Sequence, residues 1–365
     1  MSTQKKQASQ IFTEMIIKNI APKSQSLYYS TINRFKTFLS EYEYPDLLSI
    51  IDSELFDEFI NYLNCNSLQY KTIHNYEGAL ITLINYANND RKIKANINIS
   101  THKRVEDHRS REQKKSKQIP LSEEQLYKIY NLQNLSIKEQ EARDLFICQC
   151  LLGQRISDMP KIFRGDYTIQ LTKDNTEIIS FCVQKTGEEA TLYLFPIARQ
   201  IIDRYRHQGF RYFDIFNNDE KNFKHLRNLL NTTIKSVCKK ADLTTEQNYA
   251  TQIGKKIVIQ RQKLYQMIHT QTARHTFITL MCKLGVPKEN VTIATAHTDT
   301  KMIENVYLHE TVCERGQRLI GSYREIKESH FFFVEKKPSL RPNASRLTLM
   351  LTKLLTKLLN LLTKP

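Results

Sequence analysis

The stretch HTQTARHTFITL, residues 269–280, places an arginine and two histidines inside a run that otherwise has the pattern of a buried helix. Arg274 stands just before Phe277, Ile278 and Leu280. Burying a guanidinium is costly unless an anion meets it. We therefore expect Arg274 either to pair with an acidic side chain of the protein or to receive an anion from outside.

The composition of the whole chain indicates the class of that anion. The 365 residues carry 54 Lys and Arg against 38 Asp and Glu, which gives a formal net charge of +16. Such an excess favours an acidic partner, most commonly nucleic acid, although a basic protein without such a partner is the alternative. Seven cysteines without metal-ligand spacing favour reduced thiols in a cytosolic protein.

The N-terminal residues lack the apolar core of a secretory signal, so we expect none. No run of about 18 uninterrupted apolar residues predicts a membrane span. Apolar side chains recur at helical spacing over 24–42, 53–64 and 70–88, with Asp52 or Ser53 as the cap of the second segment. The sequence therefore predicts a small helical domain over residues 1–100.

Residues 101–120 have a different composition, with seven Lys and Arg against three Asp and Glu. They predict an exposed basic linker, which is either a solvated charge run or a strap along a phosphate backbone. A second domain is expected over 121–330. It has mostly helices, a buried helix stopped at Gly153, a hairpin from strands 177–183 and 190–195, and a short strand pair near 253–260.

The last segment, 331–365, is a C-terminal tail in which residues 345–365 are of low complexity and predict a basic amphipathic helix. This tail could contact a membrane surface or a partner helix, or could be an extension without a role. The fold class that follows is mainly α with a small β-sheet, in two domains.

Several polar residues occupy positions where the pattern calls for apolar ones. Each has an ordinary structural explanation: an ion pair between Arg155 and Asp158, a solvated turn lysine at Lys185, a loop hydrogen bond at His297, and a core aromatic at Tyr307. Their order and spacing, together with Arg274, suggest that they form one set.

In that order the segments GQRISDM, VQKTGE, TARHTFITLMCKLGV and TAHTDTKMIENVYLH resemble the motifs of the tyrosine recombinase (phage integrase) family. The sequence of the segment TARHTF is similar to that of mobile-element integrases of the Bacteroidetes. The resemblance covers most of the chain. It implies a helical core-binding domain over residues 24–100 and a catalytic domain over 120–325.

The resemblance also implies a mechanism that needs no metal, cofactor or ATP. Arg155 and Arg274 would bind the scissile phosphate and stabilise the phosphorane, since guanidiniums are planar donors that match phosphate oxygens. Tyr307 would attack and form a 3′-phosphotyrosine, Lys185 would protonate the leaving 5′-oxygen, and His297 would orient the phosphate. Asp158 would hold Arg155 in place.

One position departs from the family pattern. The family has a histidine three residues before its second arginine, and this chain has Gln271. Glutamine can donate to phosphate but cannot act as the base, so the substitution either slows the enzyme or marks an inactive relative. His269 and His275 are possible replacements, although His275 points about 100° away from Arg274 on a helix and is expected to be structural.

The resemblance implies double-stranded DNA target sites as partner and a homo-tetramer on two sites, with exchange of a segment such as 314–330. DNA-bending accessory proteins and a bacterial cytoplasmic, nucleoid-associated location would follow. A type IB topoisomerase and a DNA-binding relative without catalysis are the alternatives.

Overall fold

The computed structural model describes residues 7–110, 113–114, 117, 119–208, 220–296, 312–324, 326 and 330–333. Its elements in chain order are α1 Ala8–Asn19, α2 Pro22–Glu41, α3 Ser53–Cys65, α4 Tyr70–Asn89, α5 Glu123–Tyr130, α6 Ile137–Leu152, α7 Met159–Arg164, β1 Thr168–Leu171, β2 Glu177–Cys182, β3 Glu189–Tyr193, α8 Pro196–Gln208, α9 Glu220–Lys240, β4 Glu246–Ile253, β5 Lys256–Lys263, α10 Leu264–Met267, α11 Thr270–Lys283, α12 Lys288–Thr295 and α13 Val312–Arg324. The predicted fold class, mainly helical with small antiparallel sheets, is confirmed. None of the helices described here is long and apolar enough to cross a membrane.

The chain divides into two compact units. Unit 1 comprises residues 1–117 together with 246–262, and unit 2 comprises 118–245 together with 263–365. The β4–β5 hairpin thus groups with unit 1, although the sequence placed it in the middle of the predicted catalytic domain. The periodicity of apolar residues carries no information on which core a hairpin joins.

Unit 1 is built on the helices that the apolar spacing predicted. Asp52 caps α3 by accepting a hydrogen bond of 2.9 Å from the backbone N–H of Leu55. The α2 and α3 faces meet at Phe35 and Phe59, whose rings lie edge to face with centroids 5.1 Å apart. The helix α1, which the sequence analysis did not identify, adds Phe12 to the same core.

The turn of the β4–β5 hairpin lies against the loop between α3 and α4. Gly254 donates a backbone hydrogen bond of 2.8 Å to the Leu68 carbonyl. Its φ is +54°, and a Cβ at this position would lie 2.7 Å from the carbonyl oxygen of Asn64. A residue with a side chain would be strained by its backbone angle and would also clash. Glycine therefore permits the close approach.

The same hairpin holds the segment that the sequence predicts to be a linker. Gln252, 2% exposed, accepts a hydrogen bond of 2.8 Å from the His108 backbone N–H and donates one of 3.0 Å to the Glu106 carbonyl. Arg109 donates to the Ala250 carbonyl at 3.2 Å. The linker thus runs along β4, and the buried side-chain amide of Gln252 binds it there by hydrogen bonds.

The start of the linker is fastened by a buried carboxylate. Glu77 of α4 is fully buried and accepts from His102 Nε2 at 2.9 Å and from the Val105 backbone N–H at 2.8 Å. The other ring nitrogen of His102 contacts the carboxylate of Asp57. Residues 102–109 are therefore an ordered part of unit 1, although several of their side chains face solvent.

Unit 2 is arranged around α6, a helix buried along most of its length, which contacts α5, α8, α9 and α11. The three-stranded sheet has the order β1-β2-β3, and both pairs are antiparallel, with Ile178 opposite Tyr193. The predicted hairpin is therefore confirmed, while β1 was not predicted. The thiols of Cys148, Cys150 and Cys238 are buried and free, and burial raises the pKa of each.

The described C-terminal residues pack into unit 2 of the same chain. On α13, Leu319 and Tyr323 are buried in its core. A Cβ on Gly316 would meet the Ile178 side chain at 2.1 Å, so α13 lies directly on β2. The described part of the segment expected to be exchanged, 314–330, thus packs on its own chain through α13. Phe331, at the start of the predicted tail, is also fully buried.

We expect Gln252→Leu to expose the linker to protease. The substitution removes the hydrogen bonds to His108 and Glu106, each worth about 1 kcal/mol. The loss of about 2 kcal/mol should make opening of residues 106–108 roughly 30 times more frequent. Limited trypsin digestion should then cut after Arg104 or Arg109 faster than in the unsubstituted protein.

The matched control is Gln260→Leu, because Gln260 lies in the same hairpin and bonds the Tyr249 hydroxyl. Equal digestion rates for the unsubstituted protein and both variants would show that Gln252 does not hold the linker.

Candidate active site

The GQRISD segment begins where α6 ends. Gly153 closes the helix with a left-handed φ of +69°, as the sequence predicted. A Cβ at this position would lie 2.3 Å from the ring of Phe277 in α11. Glycine therefore ends the helix and also lets the end of α6 approach α11 closely.

Arg274 of α11 connects two helix ends. It is 2% exposed. Its Nη1 donates to the Gly153 carbonyl at 3.0 Å, and its Nη2 donates to the Thr295 carbonyl at 2.7 Å. These carbonyls belong to the C-terminal ends of α6 and α12, where backbone oxygens lack helical partners and carry partial negative charge. The two helix ends therefore supply the electrostatic compensation that the buried guanidinium requires.

Of the two partners expected for Arg274, an acidic side chain or an external anion, neither anticipates the backbone carbonyls that it binds. Burial is the main cause that lowers the pKa of Arg274 to about 10, and the charge of Arg155 lowers it further, while Asp158 opposes both. The guanidinium is still charged near pH 7. Backbone carbonyls cannot be predicted as partners from the sequence, because every residue has one and no sequence pattern marks it.

Arg155 lies two residues beyond Gly153 and is half-buried. Its Nη1 is buried and has no hydrogen-bond partner in the part of the chain that the structure describes. Its charge acts on Arg274, so the two cationic groups are near each other. A buried, unpartnered N–H of a cation is a site at which an anionic oxygen would be strongly favoured.

Asp158 has a different partner from the one expected. No ion pair joins it to Arg155 among the described residues. Its fully buried carboxylate instead accepts a hydrogen bond of 2.7 Å from the backbone N–H of Gln184. Gln184 immediately precedes Lys185, so Asp158 anchors the lysine turn to the start of α7.

Lys185 is exposed on the β2–β3 turn. The turn is closed by a hydrogen bond of 2.8 Å from the Val183 N–H to the Glu188 carbonyl and by one of 3.0 Å from the Gly187 N–H to the Val183 carbonyl. Asp158 supports the base of this closed turn, which exposes the ammonium group of Lys185. The GQRISD and VQKTGE segments are thus physically joined.

Three other candidates lie at the start of α11. Gln271 is exposed in the first helical turn, one turn before Arg274, so the two share a face. His269 is the N-cap residue. His275 is half-buried, and its pKa is lowered by burial and by the charge of Arg274. His275 is therefore neutral near pH 7.

His297 and Tyr307 lie outside the described residues. The chain is described up to Ala296, which ends α12 in a left-handed conformation with φ +47°. The carbonyl of Thr295 is the one that Arg274 holds. Arg274 therefore fixes the backbone just before His297 in the sequence.

One residue of this region was missed by sequence reasoning. Gln154 stands between Gly153 and Arg155, and its side chain is fully buried where two helices end. The signal was available, because an amide after the apolar helix end CQCLLG is as unusual as the arginine that drew attention.

Comparisons with known proteins agree on the fold. Residues 7–103 match a family model described as the phage integrase SAM-like domain. No curated protein shows significant sequence similarity to the chain. Among solved structures, XerH site-specific recombinase bound to a palindromic difH substrate, in a post-cleavage complex, is similar with 17% identity and a TM-score of 0.54, over 86% of this chain and 83% of that chain.

Two lambda integrase structures are also similar, each at 12% identity and a TM-score of 0.52. One is a dimer bound to a COC′ core site, matched over 81% of this chain and 95% of that chain. The other is a tetramer bound to a Holliday junction, matched over 83% of this chain and 78% of that chain. At these identities the similarity establishes the shared fold alone.

We expect the lowered pKa of His275 to make the protein less stable in acid. Because the folded pKa lies below the usual value of 6.5, the unfolded chain binds more protons in the interval between the two. The free energy of unfolding should therefore fall as the pH drops below about 6.5. His275→Gln should reduce that fall, measured by urea denaturation at pH 7 and pH 5.

His225→Gln is the control, since His225 is an exposed histidine on α9. The attribution to His275 is refuted if both variants show the pH dependence of the unsubstituted protein.

Proposed function

We propose, for a chain that carries a phage integrase SAM-like domain and has the fold of tyrosine recombinases, that it is a site-specific DNA recombinase. It would cleave and rejoin DNA strands through a 3′-phosphotyrosine intermediate without metal or ATP. The observation that carries the proposal is the junction at Arg274. Its guanidinium binds the carbonyl at the end of α6, two residues before Arg155 in the sequence, and the carbonyl at the end of α12, two residues before His297.

The scissile phosphate would be bound by Arg155 and stabilised by Arg274. Arg155 supplies a buried Nη1 that has no partner in the described structure. Arg274 supplies a second positive charge whose position is set by two backbone carbonyls. Preorganised positive charge lowers the barrier because the phosphorane carries more negative charge than the phosphodiester. This pair would take the place of a metal ion.

Tyr307 is the proposed nucleophile. A phenol with a pKa of about 10 is a weak nucleophile when neutral. Two nearby guanidiniums would favour loss of its proton to water, and the resulting phenolate would form the O–P bond. The P–O5′ bond breaks in the same step. Lys185 would give its proton to the departing 5′-oxygen, and the exposed turn on which it lies lets it reach that atom.

Gln271 and His297 would complete the phosphate contacts. Gln271 is exposed in the first turn of α11 on the face that Arg274 shares, so its amide can donate to a phosphate oxygen near the positive end of the helix dipole. His297 would donate to the same phosphate. His275, half-buried and with a lowered pKa, would pack beside the site and not enter it.

The proposed partner is double-stranded DNA that carries specific target sites. The net charge of +16 supplies the sequence-independent attraction. The similar lambda integrase structure is a tetramer on a Holliday junction, and we extend to this chain a tetramer on two sites. Accessory DNA-bending proteins and a nucleoid-associated location in the bacterial cytoplasm belong to the same proposal.

We expect a nicked suicide duplex with the target site to trap a covalent complex. The nick lets the short strand beyond the phosphotyrosine diffuse away, so rejoining fails and the product accumulates. Denaturing electrophoresis should show a protein–DNA band that Tyr307→Phe abolishes. DNA flanking the coding sequence is the first source of candidate sites.

Each alternative gives a different result in this experiment. A DNA-binding relative without catalysis gives a salt-sensitive gel shift with both proteins and no covalent band. A type IB topoisomerase relaxes plasmids that lack any target site. Either result would refute the assignment as a site-specific recombinase.

A sulfur atom at the 5′-bridging position of the scissile phosphate tests the role of Lys185. A thiolate leaves without a proton, because the pKa of a thiol is about 8.5, far below that of an alcohol. We expect Lys185→Ala to slow cleavage of ordinary DNA by roughly 100-fold or more and to cleave the sulfur substrate at nearly the unsubstituted rate.

Arg155→Ala is the control, since its proposed contact is with a non-bridging oxygen and sulfur should not rescue it. Equal rescue of both variants, or of neither, would remove Lys185 from the role of general acid.

A further inference from the structure

Gln154 makes a second connection between the helix ends that Arg274 joins. Its side-chain Nε2 donates to the Leu152 carbonyl at 2.9 Å and to the Ala294 carbonyl at 2.6 Å. Arg274 makes the corresponding contacts one residue further along, to Gly153 and Thr295. The end of α6 and the end of α12 are thus held together at two successive residues.

The two connections differ in charge. The guanidinium of Arg274 brings a positive charge to the carbonyls, while the amide of Gln154 brings N–H donors without adding a third cation next to Arg155 and Arg274. A lysine or arginine at position 154 would increase the repulsion that already lowers the pKa of Arg274. An apolar side chain would leave the Leu152 and Ala294 carbonyls without this donor.

The backbone around Gln154 is equally well held. Its own carbonyl accepts a hydrogen bond of 3.1 Å from Nε2 of Gln149. The carbonyls of Leu152, Gly153 and Gln154 therefore each accept from a buried side chain. The first two are oxygens that a helix end leaves unpaired. The arrangement leaves little freedom to the chain on either side of Gly153.

From this geometry we propose that Gln154 is a positioning residue for the His297 segment, an inference that rests on the proposed function. Through the Ala294 carbonyl it fixes the last turn of α12. Ala296 follows in its left-handed conformation, and His297 is the next residue. Gln154 touches no substrate in this scheme, and it acts by setting where His297 begins.

The test is Gln154→Met, which keeps the length of the side chain and removes the donor. Single-turnover cleavage of the suicide duplex should slow by roughly 10- to 100-fold, since small displacements of a positioning group have effects of this size. The affinity for the same duplex, measured by gel shift, should change less than about twofold, because phosphate contacts elsewhere supply most of it.

The control is Thr276→Val. Thr276 is fully buried on α11 and accepts a hydrogen bond of 3.0 Å from the Leu121 N–H. Its loss removes a buried hydrogen bond of unit 2 at a distance in sequence from α12. We expect it to lower the melting temperature but to leave the cleavage rate within about twofold. If both variants lose cleavage in proportion to their melting temperatures, Gln154 is only structural.

A double-mutant cycle tests the route through His297. If Gln154 acts by placing His297, then Gln154→Met should have little further effect in a His297→Ala background, so the two effects should not add. Full additivity would refute the proposal. Should Gln154→Met unfold at the assay temperature, Gln154→Asn, which keeps an amide on a shorter side chain, replaces it in the same cycle.

Failure of this inference is distinct from failure of the proposed function. If the unsubstituted protein forms no covalent complex with any target, the recombinase assignment itself is wrong. If it forms one and Gln154→Met forms it at the same rate, only the role of Gln154 is refuted.

Discussion

The structure of unit 2 depends on one buried guanidinium that joins two helix ends. Arg274 donates to the carbonyls of Gly153 and Thr295, and both oxygens stand where a helix has no further N–H to offer. The hydrogen bonds at this junction compensate both the cost of burying the charge and the cost of leaving helix-end carbonyls unpaired. A buried guanidinium without these carbonyls, or these carbonyls without a donor, would each be destabilising.

That junction brings together chain segments that are far apart in sequence and that carry the proposed site residues. The α6 end continues into Arg155, the α12 end continues toward His297, and Asp158 connects the first of these to the Lys185 turn through Gln184. Each link ends on a backbone atom. Backbone links fix the path of the chain, so they place the residues that follow as well as the one that is bonded.

Local features of the chain were predictable because their causes are local. Apolar spacing gave the helices of unit 1, Asp52 and Gly153 marked a start and a stop, and the order of the polar motifs indicated which residues to examine. The helix α1 was missed because its N-cap residue Gln7 makes no side-chain cap hydrogen bond, and the strand β1 was missed because it has only four residues. The contact of Asp158 was misassigned, because spacing suggested Arg155 and the folded chain brought Gln184 closer.

By itself, the sequence determined the mainly helical fold class, the basic charge and the set of candidate residues, because composition, periodicity and motif order are properties of the chain alone. The tertiary structure decided which partners those residues have. It placed the β4–β5 hairpin with unit 1, held the linker through Gln252, and gave Arg274 two backbone carbonyls as partners. The physical reason is that backbone carbonyls and N–H groups occur at nearly every position, so only the folded geometry selects those that meet a given side chain.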